Sequence, residues 1–271
     1  MKQTFKKFTP ERVWRAARDT YDSIKRIPEL PGAWLHPWRR ESIRRLAALK
    51  DRHKGQRAFI IGNGPSLKQT DLSRLRNECT FGMNRFYLAF PELGFHTTYF
   101  AATNDLVIGQ FHADILALPM PKFLAWRSHR HFAPGLSLSE IPTFLYTSYT
   151  GPRFSGDVRG RVWEGATVTN AALQLAFHMG FEQVILIGVD HNFTSKGDAN
   201  KTVTSQGDDP NHFMPNYFGK GVKWQLPDLD TSEVGYMMAR EAYQKAGREV
   251  LDATVGGKLT VFPKVDYNSL F

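Results

Sequence analysis

Hydrophobic and polar positions along this chain follow two periods. From residue 57 onward, short apolar runs of strand length recur as RAFIIG, TFGMN, TTYFAAT, KFLAW, TFLYT, QVILIGV, EVLDA and LTVFP. Helical periodicity fills several of the gaps, most clearly over 166–179 (ATVTNAALQLAFHM) and 231–246 (TSEVGYMMAREAYQKA). Gly180 and Gly247 come directly after these two segments as stop signals. Strands alternating with helices predict a doubly wound α/β domain with a mainly parallel, Rossmann-like sheet. The segment 192–230 has no clear period and is rich in Gly, Asn and Asp. Its Trp and Phe residues predict an ordered lid rather than a linker.

Before residue 51 the pattern differs. Val13, Trp14, Ala17, Tyr21 and Ile24 recur at helical spacing among Arg12, Arg15, Arg18, Lys25 and Arg26, and Pro28 and Pro31 are expected to end that helix. A second basic helix is expected from about Trp38 to Lys50, with Ile43 and Leu46 inward. The division expected is therefore a basic helical arm over 1–50 and a nucleotide-binding α/β domain over 51–271.

Charge sharpens that division. Of the net +9, residues 1–50 hold 13 Lys/Arg against 5 Asp/Glu, and the rest of the chain holds 22 against 21. A nearly neutral main domain argues against nucleic acid as partner. The arm is suited either to an anionic membrane surface or to packing on the main domain or a second copy. No apolar run is long enough to span a bilayer, and MKQTFKKFTPERVW lacks the apolar stretch of a signal peptide. The expected location is cytoplasmic, peripheral at the inner membrane face if the arm binds lipid. The single cysteine, Cys79, lies in a strand-like run and reads as core, and the Asn-X-Thr sequons at Asn192 and Asn200 read as chance matches.

Candidate chemistry gathers at the strand ends, where open α/β sheets bind ligands. Asn63 follows AFIIG, Asn84 follows TFGM, Asn104 and Asp105 follow YFAAT, and Asp190 with His191 follows VILIGV. Amides offering both donor and acceptor suit a base, a ribose or a phosphate. In GNGPS, Gly62 and Gly64 allow close backbone approach to a ligand, Asn63 faces it, Pro65 stiffens the turn and Ser66 caps the next segment. The stretch is neither a Walker loop nor the GxGxxG fingerprint. Thr167, Val168 and Thr169 open a helix whose free amides suit an anion. His212, in DDPNHF, is a candidate general base beside Asp208 and Asp209. Asp190, His191, Asp208, Asp209 and His212 as metal ligands would match no strong metal spacing.

The blocks GNGPSLKQTDLSRL, MNRFY, GFEQVILIGVD and NHF, with Asn104 after its strand, resemble bacterial CMP-sialic-acid-dependent sialyltransferases. More closely they resemble the Maf/MptE-like family of flagellin nonulosonate transferases and archaeal hydroxymethylpterin diphosphokinases. The likeness covers about residues 57–262 and leaves the arm outside. It implies a GT-A-like variant of the fold in which Asn63, Asn84 and Asn104 hold the cytidine nucleotide. It also implies that Thr167–Thr169 lie by the donor, that His212 is the base, and that no metal is required. The family's lid tyrosines, which stabilise the departing phosphate, have no counterpart between Asp190 and His212. Asn192, Phe193, Lys196 and Lys201 stand there instead.

The function expected is transfer of an acidic sugar, a nonulosonate, from a CMP-activated donor to a glycan or glycoprotein acceptor. The alternatives are an ATP- and Mg²⁺-dependent pterin diphosphokinase, with Asp105, Asp190, Asp208 and Asp209 on the metal, and a non-catalytic nucleotide-sugar-binding subunit. A homo-oligomer is compatible with either.

Overall fold

The computed structural model describes residues 26–149, 151–194, 197–207 and 209–271, together with Ala17, Thr20, Tyr21, Ser23 and Ile24. Most of the helix expected over the first basic segment lies outside those residues. The described helical residues stop before Pro28, and the two prolines expected to end that helix sit in the first turns of the next elements. Pro28 lies in a 3-10 turn over Ile27–Glu29, and Pro31 lies in α1, Leu30–Leu35. A proline's fixed φ and missing N–H are tolerated there, where no intrahelical donor is needed.

The second basic helix, α2, spans Pro37–Leu49, and the Nδ1 of its N-cap residue His36 accepts from Trp38 N. It does not stand apart from the α/β domain. Trp38, Arg39, Ser42 and Leu46 are buried, and Ser42 Oγ accepts from the amide of Phe144 in the sheet. Residue 50 is therefore not a structural boundary. Ile43, expected inward, is only half-buried.

Eight strands form one sheet in the order β10-β7-β1-β2-β3-β4-β5-β6, every pair parallel. They are β1 (Arg57–Ile61), β2 (Cys79–Met83), β3 (Tyr99–Ala102), β4 (Lys122–Ala125), β5 (Thr143–Ser148), β6 (Arg161–Trp163), β7 (Gln183–Ile187) and β10 (Glu249–Asp252). In β1, Ala58 and Ile60 face one core layer and Phe59 and Ile61 face the other. The apolar run is continuous because both faces are covered. One layer holds α5 (Val168–His178) and α6 (Leu229–Lys245), the two helices expected from periodicity. The other holds α4 (Asp105–Ala117) and the short α3 (Phe90–Leu93). The expected strand LTVFP does not form. Leu259 and Phe262 bury their side chains from irregular chain, and only a bridge from Asp252 to Lys264 touches the sheet.

Within the expected lid, β8 (Thr202–Thr204) and β9 (Lys223–Gln225) make a separate antiparallel ribbon. Among the described residues no helix is long and apolar enough to cross a membrane.

Candidate functional site

The strand order reverses at β1. From β1 the chain proceeds through β2 to β6 on one side, while β7 and β10 lie on the other. The loops leaving β1 and β7 therefore diverge, and the crevice between them is where such sheets bind ligands. Two connected cavities open there, of about 170 Å³ and 590 Å³. They share Asn84, Ala166, Thr167, Val168, Phe193, His212 and Pro227.

The floor of the smaller lobe is the Gly62–Ser66 turn, pressed against the turn after β7. A Cβ on Gly62 would stand 2.1 Å from the Gly188 carbonyl oxygen, and one on Gly64 would stand 1.7 Å from Asp190 Oδ2. The close approach these glycines permit is thus to the neighbouring turn of the protein itself. Asp190 accepts from the Ser66 amide at 3.1 Å and the Ser66 hydroxyl at 2.7 Å, so this carboxylate fastens the two turns together. Burial pushes its pKa up, against the pull of those Ser66 bonds.

Asn63 and Asn84 line this lobe, and the amide oxygen of each is buried without a hydrogen-bond partner among the described residues. Buried amide oxygens are rarely left so. Asn84, Ala166 and His191, all on the lobe's wall, hold left-handed backbone at φ 52°, 57° and 53°. Each is disfavoured for a side chain bearing Cβ, and such residues cluster at ligand sites. Gly165 and Ala166 turn the chain into Thr167, whose hydroxyl accepts from Thr169 N and caps α5. The start of that helix borders both lobes. Tyr236 of α6 reaches the smaller lobe from behind, its phenol pKa raised by burial.

The remaining expected residues are distributed unevenly. Asn104 borders the larger lobe, but its Oδ1 caps α4 by accepting from Leu106 N and Val107 N, and its Nδ2 donates to Gln225. Asp105 accepts from Ser128 Oγ and pairs with Arg130 and His131. Asn192 lines the smaller lobe, while Lys201 is exposed and borders neither. Lys196 and Asp208 lie outside the described residues. Among the described residues, no three His, Cys, Asp or Glu side chains gather closely enough to hold a metal.

His212 stands where the lobes meet. Its Nδ1 is 2.8 Å from both carboxylate oxygens of Asp209, and its ring stacks on Tyr217 at 4.0 Å and 6°. Asp209 is itself buried and accepts from Phe218 N at 3.2 Å. In the tautomer that donates from Nδ1 to Asp209, Nε2 carries the lone pair. Among the described residues nothing bonds to Nε2.

The lid is held down beneath this ring. Phe213 N donates to Asn63 O, the Arg85 guanidinium donates to Tyr217 O, and Tyr217 OH accepts from Arg85 N at 3.2 Å. The ribbon docks on α4 through Gln110, which donates to Lys223 O and accepts from Lys223 N as a strand would.

Several residues of the larger lobe escaped the sequence. Arg127 donates to both oxygens of Glu164 and to Thr103 O. Burial is the largest single influence and opposes its charge, but Glu164, aided by Asp105 and Glu29, raises the guanidinium pKa overall. Tyr149 donates to Asp228 and accepts from Asn200. Arg127 and Glu164 come soon after β4 and β6, so the strand-end logic that selected the asparagines also reaches them.

A parallel sheet with its crevice at the order reversal, floored by a glycine turn and roofed by a histidine-bearing lid, defines a doubly wound α/β domain. No protein-family model matches the chain, and no curated protein sequence matches it either. Among solved structures it is similar to MAf glycosyltransferase from Magnetospirillum magneticum AMB-1, with a TM-score of 0.46 and 16% identity. The match covers 86% of this chain and 39% of that one, so the chain spans about two-fifths of that protein's length.

Proposed function

We propose that the chain is an inverting glycosyltransferase that takes an acidic sugar, a nonulosonate, from a CMP-activated donor. The observation that carries this reading is the Asp209–His212 pair at the junction of the two lobes, with Nε2 unbonded among the described residues. In the proposed reaction Nε2 takes the proton of an acceptor hydroxyl held in the larger lobe. The oxygen attacks the anomeric carbon, the bond from that carbon to the phosphate oxygen breaks, and CMP leaves with the electron pair. Asp209 holds the imidazole in the required tautomer and stabilises the imidazolium that forms. The unpartnered amide oxygens of Asn63 and Asn84 are suited to the amino and hydroxyl donors of a cytidine nucleotide. Of the amides opening α5, those of Thr169 and Asn170 already donate to Thr167, and the Val168 amide, which has no partner among the described residues, is suited to the departing phosphate in place of the absent lid tyrosines.

The pterin diphosphokinase reading needs carboxylates gathered on magnesium. Asp105, Asp190 and Asp209 are instead engaged by separate partners: Ser128, Arg130 and His131; Ser66; and His212. Calorimetry separates the two readings. CMP is expected to bind with or without EDTA, and Asn63→Ala or Asn84→Ala to weaken it by about 1–3 kcal/mol, the usual effect of losing a buried partner. Tight, strictly Mg²⁺-dependent ATP binding with no CMP binding would reject the transferase.

A further inference from the structure

The chain ahead of α2 exposes apolar side chains in steps of three and four residues. Ile24, Ile27, Leu30 and Trp34 succeed one another in this way, and Leu35 adjoins them. Ile24 is 58% exposed, Ile27 57%, Trp34 47% and Leu35 71%, although α1 buries Ala33 at 0%. α1 is therefore seated on the domain while turning its larger residues outward, and aliphatic side chains grouped in that way mark an interaction surface.

The surface also has a fixed place. Arg26 donates to Thr147 O at 2.6 Å, and the Thr147 hydroxyl accepts from Arg127, which lines the larger lobe. Tyr149, two residues on, lines the same lobe. The stripe thus runs along the β5 side of the cleft mouth.

We infer that this stripe docks on an anionic lipid bilayer. The first 50 residues carry 13 Lys/Arg against 5 Asp/Glu, whereas the rest of the chain is almost balanced. An apolar stripe within a strongly basic stretch is complementary to a surface that is both apolar and negatively charged. A second copy fits poorly, because a two-fold contact sets the same patch against itself and brings the two basic surpluses together. Docked in this way, the chain presents the larger lobe beside the headgroups. If the lobe holds a glycosyl acceptor, a point that rests on the proposed function, the acceptor is one anchored to that membrane.

Flotation of the full chain with vesicles, in the absence of nucleotide, tests the docking separately from the chemistry. The chain is expected to float with vesicles containing phosphatidylglycerol, to float far less with phosphatidylcholine alone, and to be released by salt. Ile27→Glu and Leu35→Glu, at residues more than half exposed, are each expected to lower partitioning roughly ten-fold or more, the scale of removing one apolar side chain from the interface. Their melting temperatures and CMP binding should match the parent chain. Three results would overturn the inference: no flotation of the parent chain at low salt, flotation of the Glu variants equal to the parent, or light scattering showing a dimer that these variants dissolve. A failure of CMP binding with flotation intact would instead count against the proposed function alone.

Discussion

Substituting Gly64 by alanine tests the claim that the turns after β1 and β7 are fastened by direct contact. Gly64 sits at φ −72° and ψ 159°, which alanine adopts freely, so the backbone itself offers no obstacle. In an open site the change would stabilise the protein by about 0.5 kcal/mol through the unfolded chain. Here the new Cβ would lie 1.7 Å from Asp190 Oδ2 and 2.4 Å from its Cγ, so the carboxylate must swing away. It then abandons the amide and hydroxyl of Ser66, which is only 3% exposed. Hydrogen bonds to a charged group contribute about 1.5–3 kcal/mol each, and overpacking costs about 1–3 kcal/mol. Gly64→Ala should therefore lose about 4–5 kcal/mol, and Asp190→Ala, which only empties the contact, about 3 kcal/mol. In the double variant the carboxylate clash is gone and the new Cβ meets only the Gly188 carbonyl oxygen, at 2.9 Å, so its loss should lie about 1 kcal/mol above that of Asp190→Ala, a coupling of about 3–4 kcal/mol. Urea unfolding of the four proteins measures the cycle. Additive losses would refute the reasoning, because the two positions would then not be in contact.

The same geometry sets other outcomes. His212→Ala is expected to lower kcat by about 10²–10⁴-fold, the range of general-base assistance, with the donor Kd nearly unchanged; wild-type turnover and pH profile in the variant would leave the proposed mechanism without its base. Arg159 holds the Asp157 carboxyl down at about 2, below its ordinary 3.8, so the folded form binds this proton less readily than the unfolded form. Its stabilisation is complete above the unfolded value and is lost as pH falls from there towards 2. Asp157→Asn should accordingly melt lower at neutral pH and show a shallower acid decline in thermal scans. Gln110→Ala removes both bonds that dock the ribbon on α4 at Lys223, about 1 kcal/mol each, and should speed amide exchange across β8 and β9 while the main sheet stays protected.

The central sheet was legible because β1 and β7 are apolar on both faces, and few other structures account for such runs. What escaped detection lacked that signal. β6 is three residues long, and β8 and β9 expose most of their side chains, so neither the period nor the composition rises above a loop's. LTVFP carried the apolar signal without the ladder. Pro263 has no amide to donate, and burial of Leu259 and Phe262 needs no strand. In the site, polarity at strand ends was readable, but what each group faces was not. Asn104 has the composition of a ligand contact and serves as a helix cap. The glycines of GNG announced a close approach, and only the fold identifies Gly188 and Asp190 as what approaches. The pairing of His212 with Asp209 depends on how the lid turns at Pro210 and Asn211, which spacing alone does not specify.

The position of β1 between β2 and β7 has a consequence for synthesis. Ser66 and Asp190, which seal the floor of the cleft, lie 124 residues apart in the chain. A ribosome adding about 5–20 residues per second takes roughly 6–25 s to cover that distance. During that interval β1 has β2 on one side and an unsatisfied row of amides and carbonyls on the other, the exposed edge through which nascent sheets mispair. The floor of the cleft cannot exist before the edge is closed. Ligand-binding competence should thus be among the last properties the nascent chain acquires, and N-terminal fragments ending before β7 should aggregate rather than bind.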